Sequence, residues 1–364
     1  MLSAPLVVET PGKETAPPRV SVVVVNQDRV ELLKECLSSL LQQTLQPLEI
    51  IVADNGSQDG SREFVGGLTE SGVSLLAFED NQGFAAANNR AVEAARGSYI
   101  ALLNNDAIAD PKWLESLLGP LLEDSKCGMC ASKILLNPKT IDKAGHLIYL
   151  DGQNRGRGTG QIDRGQFDQP SEVLLPDGCA ALYRRELWDQ TGGMDEDFFA
   201  YADDADLGLR ARWLGWTCRY VPQAVVWHRQ SSTTAPYAEQ KIFWIERNRV
   251  WLAVKNLPWY LLLMNPVLTL YRWSWNLLAA LLGQGAADKF RRREGWARAA
   301  RTVLRANLCA WLKVGRVWGK RREIRRQKSL SDWEFLRLIW KYRISARELA
   351  FDDPERHETG IADP

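Results

Sequence analysis

Three groups of polar side chains stand directly after short apolar runs in the first third of the chain. They are Asn26-Gln27-Asp28, Asp54-Asn55-Gly56-Ser57 and Asn104-Asn105-Asp106. Each preceding run is a nearly continuous stretch of apolar residues, which is typical of a strand buried on both faces of a parallel sheet. Ligands bind at the carboxyl ends of such strands. The three groups therefore predict one ligand-binding edge.

Two carboxylates in these groups are suited to defined chemistry. Asp106 can supply an oxygen ligand to a divalent cation, Mn²⁺ or Mg²⁺, that neutralises a departing diphosphate. Asp54 can accept a hydrogen bond from the N3–H of a uracil or thymine ring. Both residues also fit an ordinary turn, because Asn and Asp are common turn formers whose side chains hydrogen-bond nearby backbone.

Three further positions have both a chemical and a structural interpretation. The pair Asp203-Asp204 stands at a predicted helix start, where a carboxylate can act as a general base or simply compensate the helix dipole. Gly83 precedes another predicted helix, where glycine marks a turn and also lets the backbone approach a ligand closely. His228 follows a predicted strand and is either a metal ligand or a packed side chain.

Alternating strands and helices must position these groups. Strands are predicted over 20–25, 48–53, 73–78 and 98–103, and helices over 30–43 and 84–96. This alternation with short joints indicates a Rossmann-like, mostly parallel sheet with helices on both faces. Less regularity is expected over 127–232, with a mobile loop over 151–166, a helix over 203–214 and a short strand over 220–227.

Composition excludes several classes of protein. Of the 364 residues, 45% are hydrophobic and 25% are charged, which is ordinary for a globular protein and argues against disorder. The six cysteines show no disulfide framework, and Cys127-x-x-Cys130 lacks the second pair that a zinc site needs. Reduced thiols, and a leader without an apolar core, indicate a cytosolic chain with no secretory signal.

In their order and spacing, these segments resemble family-two glycosyltransferases of the GT-A fold, in particular the bacterial rhamnosyltransferase-like members that build surface polysaccharides. The resemblance covers about residues 20–234. It is carried by Val20–Asn26, Val52–Gly60, Asn81–Phe84 with Asn88 and Asn89, Leu102–Asp106, Gly192–Tyr201, Asp203–Leu207 with Arg210, and Val226–His228.

The resemblance implies a role for each matching residue. Asp204 would be the catalytic base, and Asp106 with His228 would bind the divalent metal. The donor-binding residues would be Val25, Asn26, Asp54, Asn81, Gly83, Asn88, Asn104 and Asn105, with Asp54 on the pyrimidine. The acceptor-side candidates are Gly178, Tyr201 and Asp203. Asn104 stands where many relatives have Asp, and Gln27-Asp28 replaces an aromatic-Asn pair, which leaves the donor contacts there open.

The resemblance also implies the reaction. A single in-line displacement, with a base on the acceptor hydroxyl and a pyrimidine diphosphate departing, inverts the anomeric configuration. The donor would be a dTDP- or UDP-sugar, with rhamnose a candidate sugar. Relatives that polymerise carry a Gln-x-x-Arg-Trp motif. Arg272-Trp273 lacks the Gln, so transfer of one sugar is expected.

The last third of the chain differs in character. Ten of the fifteen tryptophans lie beyond Ala238, and residues 288–347 hold 19 Lys or Arg against 5 Asp or Glu. The uncharged stretch 256–271 contains prolines and is shorter than the roughly 20 residues that a spanning helix needs. Trp and Leu beside Arg favour a helical region on the cytoplasmic face of the cell membrane, where a lipid-linked glycan acceptor would be met. Ser331-x-x-Glu334 predicts a capping box at a final helix.

The Trp- and Arg-rich region also has two other interpretations, a nucleic-acid-binding region and a subunit interface. Nucleic-acid binding would explain the basic charge but not the apolar stretches, and a subunit interface, as in a homodimer, is the remaining alternative. The expected divisions are a flexible leader over 1–18, a GT-A domain over 19–238 (19–125 for the nucleotide, 126–238 for acceptor and catalysis), a Trp/Arg-rich membrane-associated helical region over 239–350 and a tail over 351–364.

Two rival functions are considered. A sugar nucleotidyltransferase would need a Gly-rich, Arg-containing loop after the first strand, where this chain has Asn26-Gln-Asp-Arg-Val30. A catalytically inactive, membrane-bound scaffold that binds glycan or nucleotide would be favoured by loss of Asp106 or Asp204, and both are present.

Overall fold

The computed structural model describes residues 6–7, 19–46, 48–68, 71–229 and 238–352. Most of the expected leader and tail lies outside these residues. The strands are β1 Leu6–Val7, β2 Val20–Asn26, β3 Leu48–Asn55, β4 Val73–Phe78, β5 Tyr99–Leu103, β6 Ala107–Ala109, β7 Cys127–Asn137, β8 Thr140–Lys143, β9 His146–Ile148, β10 Asn154–Gly156, β11 Ser171–Glu172, β12 Ala180–Arg184 and β13 Thr217–His228.

Helices follow most strands and then make up the last third of the described chain. They are α1 Val30–Leu41, α2 Ser61–Gly66, α3 Phe84–Ala94, α4 Trp113–Glu123, α5 Arg185–Thr191, α6 Asp203–Trp213, α7 Glu239–Asn256, α8 Trp259–Leu281, α9 Gly285–Glu294, α10 Trp296–Leu312, α11 Val314–Gln327, α12 Asp332–Lys341 and α13 Ala346–Phe351. A single 3₁₀ turn, Glu196–Phe198, precedes α6.

One sheet of eleven strands organises the described part of the chain. Its main order is β1-β4-β3-β2-β5-β12-β7-β13-β11, with β6 paired to β13 and β8 to β7. The neighbours β4, β3, β2 and β5 are parallel, and β12 runs antiparallel between β5 and β7. Helices α1 and α4 cover one face, and α3, α5 and α6 cover the other. The predicted Rossmann-like, mostly parallel character is therefore confirmed for the first half of the sheet.

The middle of the chain is more regular than its sequence suggested. β7 has eleven residues, and its first nine are buried. β12 pairs with one edge of β7 and β13 with the other, so both faces and both edges of this strand are covered. A strand covered on both faces does not alternate polar and apolar residues. The sequence of β7 therefore lacks the alternating pattern by which a half-buried strand is recognised.

The segment 151–166, expected to be a mobile loop, begins with a fully buried carboxylate. Asp151 has 0% of its surface exposed. Its Oδ2 accepts from Arg272 Nε at 2.8 Å and from Thr269 Oγ1 at 3.2 Å, both in α8. A buried charge with such partners holds the start of the segment against α8. Residues 161–166 are mostly exposed, and the expected mobility of the segment stays a prediction.

The C-terminal helices share a hydrophobic cluster with the sheet domain. That cluster combines Phe198, Leu209 and Trp213 with residues of α7, α8, α11 and α12. The rings of Trp213 and Phe335 stack with centroids 3.7 Å apart. The expected boundary at residue 238 thus separates two groups of elements that pack on one core.

Buried ion pairs join the same two regions. Asp206 of α6 accepts from Lys255 Nζ at 2.7 Å and from Asn256 Nδ2 at 2.9 Å, both in α7. Lys255 also donates to Asp195 at 2.5 Å, and Lys320 of α11 pairs with the same carboxylate. These charges stabilise only while every partner is present, because removal of one leaves another buried and unpaired.

The predicted capping box is present at the start of α12, where Ser331 and Glu334 bond each other's backbone reciprocally. α12 is not the final helix, because Ser345 and Glu348 form a second capping box that starts α13. None of the helices in the described ranges combines the length and the apolar character needed to cross a membrane.

Candidate active site

The carboxyl ends of β2, β3 and β5 meet in one hydrogen-bonded group. Asn26 Nδ2 donates to Asp54 Oδ2 at 3.3 Å and to Ser57 Oγ at 3.1 Å. Asn26 Oδ1 accepts from Asn105 Nδ2 at 2.8 Å. Asp54 is 1% exposed, and its Oδ1 also pairs with Arg62 Nε at 2.6 Å. The three polar groups singled out in the sequence therefore lie together at one edge of the sheet.

The turn before α3 is ordered by a side chain that sequence reasoning missed. Asn55 Nδ2 donates to Asn81 Oδ1 at 2.9 Å, and Asn55 Oδ1 accepts from Gln82 N at 2.7 Å. Gly83 has a φ of 87°, and a Cβ there would lie 2.6 Å from a ring carbon of Phe199. Glycine is required at this position by both the backbone conformation and the close approach.

Asp106 and His228 are in direct contact, as the predicted metal pair requires. Asp106 Oδ1 lies 3.2 Å from His228 Nε2, and His228 Nδ1 lies 2.7 Å from Asp142 Oδ2. Burial alone lowers the pKa of His228, but Cys179 and the hydrogen bonds to Asp106 and Asp142 outweigh it and raise that pKa well above its ordinary value.

This donor set fits a divalent cation. Neighbouring ligands of an octahedral ion with bonds of about 2.1 Å are roughly 3 Å apart, close to the separation of Asp106 Oδ1 and His228 Nε2. A metal-bound histidine normally gives its other ring nitrogen to a carboxylate, and Asp142 occupies that place. Asp142 was not identified from the sequence.

Asp204 lies at the start of α6 with both oxygens engaged by backbone. Oδ2 accepts from Gly178 N at 2.9 Å, and Oδ1 accepts from Ala205 N at 2.7 Å. A Cβ on Gly178 would lie 3.2 Å from Asp204 Cβ, so a glycine keeps this approach open. Asp204 is only partly buried, which leaves its carboxylate accessible.

The loop Asp177–Cys179 connects this carboxylate to the strand-end group. Cys179 O accepts from Asn104 N at 2.8 Å, while Gly178 N holds Asp204. Burial raises the pKa of the Cys179 thiol, and the nearby His228 acts against that rise. The base candidate, the metal candidates and the end of β5 are thereby brought to one short loop that sequence reasoning identified only at Gly178.

Asp203, an acceptor-side candidate, is buried away from the cleft surface. It is 3% exposed, and its Oδ2 has no hydrogen-bond partner among the described residues. Burial and the neighbouring Asp204 charge raise the pKa of Asp203 well above its ordinary value. Burial therefore favours the neutral form of the Asp203 carboxyl, whose neighbour Asp204 is only partly buried.

The remaining candidates occupy different environments. Val25 is half-buried on β2, and Asn88 is 1% exposed and donates to Phe84 O at 2.9 Å within its own helix. The side chain of Tyr201 is half-buried, 6.3 Å between centroids from the Trp244 ring. It lies in a segment where Phe199, Tyr201 and Ala202 all have positive φ, of 66°, 68° and 63°. Such conformations cost about 1–3 kcal/mol each and are frequent at functional sites.

A second set of metal-type ligands is better explained by an ion pair. His146, Asp177 and Asp204 offer atoms within 4.8 Å of one another. Asp177 Oδ2 already lies 2.7 Å from Lys143 Nζ and 2.7 Å from His146 Nε2. A lysine ammonium on the same oxygen supplies the positive charge that a cation would bring, so this set needs no metal.

Some of the site residues that were not predicted could have been recognised from the sequence, and others could not. Asp177-Gly178 before β12 has the form of a strand-entry turn and could have been singled out on that ground. Asn55 lies inside the second polar group and was passed over in favour of Asp54. Asp142 lies in a short strand far from the recognised motifs, and nothing local distinguishes it.

Comparisons with known proteins agree with this architecture. The family model described as "Glycosyl transferase family 2" matches residues 21–192. The O-antigen biosynthesis protein RfbC of Myxococcus xanthus is 29% identical over 270 residues, which are 70% of this chain and 20% of that protein. The N-acetylglucosaminyl-diphospho-decaprenol L-rhamnosyltransferase of Mycobacterium tuberculosis strain H37Rv is 27% identical over 299 residues, 75% of this chain and 95% of that protein.

A solved structure supports the fold. GalNAc-T7, crystallised with UDP, GalNAc and Mn²⁺, aligns with a TM-score of 0.50 at 14% identity, covering 66% of this chain and 51% of that one. The match with RfbC spans only about a fifth of that protein's length. Residues 21–192, the ordered motifs and the sheet agree: this chain contains a glycosyltransferase family 2 domain with the GT-A fold.

Proposed function

We propose that this glycosyltransferase moves one sugar from a pyrimidine nucleotide-sugar to a hydroxyl of a lipid-linked saccharide, with inversion of the anomeric configuration. The observation that carries the proposal is the loop Asp177–Cys179. It bonds the accessible Asp204 carboxylate through Gly178 N and the end of β5 through Cys179 O. A base and a donor-side strand end on one loop are what a single displacement requires.

Asp204 takes the proton of the acceptor hydroxyl in this mechanism. Its two backbone hydrogen bonds hold the carboxylate in one orientation, and its partial exposure lets a hydroxyl approach. The hydroxyl oxygen attacks the anomeric carbon while the bond to the diphosphate breaks, and the proton moves to Asp204. Asp203, whose pKa is raised by burial and by the neighbouring Asp204, is not assigned the proton transfer.

The charge of the departing diphosphate is neutralised at the other side of the cleft. Asp106 and His228 would hold a divalent cation, Mn²⁺ or Mg²⁺, which neutralises the diphosphate when bound. Asp142 fixes the tautomer and the ring orientation of His228. On the donor side, Asn26 and Asp54 order the ends of β2 and β3, and Asn81 orders the adjacent turn by accepting from Gly83 N.

The acceptor assignment rests on the exposed apolar face of the C-terminal helices. Leu263, Leu270 and Leu281 of α8 are 71%, 62% and 67% exposed, and Leu308 and Leu312 of α10 are 61% and 77% exposed. Exposed arginines lie nearby in sequence, at 292, 293, 301 and 305. Apolar side chains beside cations suit the interface of an anionic membrane, where lipid-linked saccharides reside.

The name of the mycobacterial relative, a rhamnosyltransferase acting on N-acetylglucosaminyl-diphospho-decaprenol, supports the same acceptor class and makes rhamnose a candidate sugar. The test is release of nucleoside diphosphate from dTDP-rhamnose, UDP-glucose and UDP-N-acetylglucosamine, with and without N-acetylglucosaminyl-diphospho-lipid in anionic vesicles and Mn²⁺ or Mg²⁺. Acceptor-dependent release supports the proposal. No release from any donor under any condition would favour the inactive scaffold, and release of a nucleoside triphosphate with pyrophosphate present would favour a nucleotidyltransferase.

A further inference from the structure

Helix α7, which lies outside the family-matched residues, contacts the strained segment before the base. The Asn248 side chain is 0% exposed. Its Nδ2 donates to Phe198 O at 3.1 Å, Ala200 O at 2.7 Å and Tyr201 O at 2.8 Å. Three carbonyl oxygens around one atom can only be satisfied by a donor, so the amide orientation follows from its surroundings.

The other side of Asn248 is also engaged. Its Oδ1 accepts from Arg247 Nε at 2.9 Å, and Arg247 donates from its guanidinium to Phe198 O at 2.9 Å. The Arg247 guanidinium lies 4.4 Å over the Trp251 ring. The adjacent side chains of Arg247 and Asn248 on α7 therefore both donate to the backbone of residues 198–201.

Residues 198–202, which Asn248 and Arg247 hold in this way, contact both the donor-side turn and the helix that carries Asp204. Phe199 O accepts from Phe84 N at 2.7 Å, which ties the segment to the turn beside Gly83. Ala202 O accepts from Asp206 N at 2.9 Å, which begins the helix that carries Asp204. The donor turn and the base are thus fixed relative to each other through residues 199–202.

Positive φ at Phe199, Tyr201 and Ala202 means that this backbone does not hold its conformation unaided. We propose that Asn248 is a positioning residue for glycosyl transfer, because it holds the strained segment that sets Asp204 against the donor turn. This inference deepens the proposed function and rests on it for its kinetic part. Its structural part, the order of two backbone amides, stands independently.

The experiment compares Asn248→Ala with Asn265→Ala in the full chain. Asn265 is a buried asparagine of α8 that also donates to a backbone carbonyl, Asp151 O, and its hydrogen bonds go to Asp151 and Thr269, not to residues 198–202. Hydrogen exchange is measured on peptides containing Phe84 and Asp206. We expect severalfold faster exchange at both peptides in Asn248→Ala and unchanged exchange in Asn265→Ala. Only the first variant frees the backbone of residues 198–201, whose conformation places Phe199 O and Ala202 O on the Phe84 and Asp206 amides.

The kinetic readout uses the donor that the wild-type enzyme accepts. Asn248→Ala should lower kcat by roughly 10²-fold, the cost of a small misplacement of reacting groups, and should raise the KM for the donor. A variant that had only lost folded molecules would show lower kcat at an unchanged KM. Ala202→Gly, which removes the Cβ from one strained position, should partly restore kcat when added to Asn248→Ala.

The outcomes separate cleanly. Unchanged exchange at both peptides overturns the inference whatever the activity, and lower kcat at unchanged donor KM with no rescue by Ala202→Gly overturns its kinetic part. If the wild-type enzyme releases no nucleoside diphosphate, the proposed function fails while the exchange result still decides the role of Asn248. Should Asn248→Ala not fold, Asn248→Ser, which retains one donor, carries the same comparison.

Discussion

At the scale of single residues, the site separates two neighbouring carboxyl groups by their surroundings. Asp204 is partly exposed and hydrogen-bonded to Gly178 N, whereas Asp203 is buried with one oxygen lacking a partner among the described residues. Two adjacent aspartates therefore differ in their exposure and in their hydrogen bonding. Their sequence order gave no indication of which could act as the base, and the resemblance alone pointed to Asp204.

The first prediction uses this contrast. Asp204→Asn should lower transfer by ~10²–10⁴, the usual contribution of a general base, while donor binding by thermal shift is retained. Asp203→Asn should stay within the same order of magnitude as wild type, because burial raises the pKa of Asp203 and so favours the neutral carboxyl that the amide mimics. Steady-state kinetics decide the matter. Equal losses in the two variants would contradict the assignment of roles.

The second prediction concerns metal dependence. EDTA should abolish transfer, Mn²⁺ or Mg²⁺ should restore it, and Asp106→Ala should not be restored. Asp142→Asn should need ~10–100-fold more metal for half-activation, because the orientation of His228 is lost. Asp189→Asn, at an exposed position on α5, is the control and should titrate like wild type. Full activity in excess chelator would remove the metal from the mechanism.

At the scale of elements, α8 has two distinct faces. Its inner face carries Asn265, Thr269 and Arg272, which are buried against Asp151, and its outer face is a row of exposed leucines. Pro266 lies inside the helix without ending it. The apolar content that suggested a membrane-associated element in the sequence is thus concentrated on a face that the described residues leave exposed.

The third prediction tests the exposed face of α8. Leu263→Asp with Leu270→Asp should strongly reduce flotation of the full chain with phosphatidylglycerol vesicles at low salt, since each exposed leucine contributes about 1.5–3 kcal/mol on burial. Leu122→Asp, on the exposed side of α4 at 49% exposure, should float like wild type. Equal flotation of all three proteins would redirect the face to a subunit interface, measurable as a concentration-dependent mass.

The elements of the first half were predictable because each has a local signature. β2 is a continuous Val run, and α1 has its leucines on one stripe, so strand ends and the polar groups after them followed. The loop Asp177–Cys179 and Asn248 were not predictable. Asn248 contacts backbone about 50 residues earlier in the chain. The spacing of residues within one helix cannot indicate a contact with backbone that lies so far away along the chain.

At the scale of the whole molecule, the buried charges hold the C-terminal helices on the sheet domain. Glu246 of α7 accepts from Arg272 and Arg249, and Asp151 completes the group. Burial alone raises the pKa of Glu246, but the two arginine charges outweigh it and lower that pKa from 4.5 to about 2. The native state therefore binds this proton more weakly than the unfolded chain.

The fourth prediction follows from that sign. The contribution of Glu246 to the free energy of unfolding should be complete above pH 4.5 and should be lost as the pH falls toward about 2. Chemical denaturation at pH 7 and pH 3 should show the stability gap between wild type and Glu246→Gln shrinking at the lower pH. Glu63→Gln, at an exposed position, serves as the control. A gap of constant size would show that Glu246 does not titrate in this window.

The stack of Trp213 on Phe335 limits how genes for such enzymes can recombine. Trp213 ends the helix that starts at Asp203, and its indole N–H donates to Asn256 O at 2.9 Å. A chimera joined near residue 238 would pair this ring with the helices of another protein, leaving a buried donor unsatisfied and a flat surface unmatched. Crossovers that transfer residues 151–342 as one block keep both contacts, together with the buried ion pairs of Asp151 and Asp195 and the bonds of Asn248 to residues 198–201. Those are the exchanges after which we expect a folded enzyme.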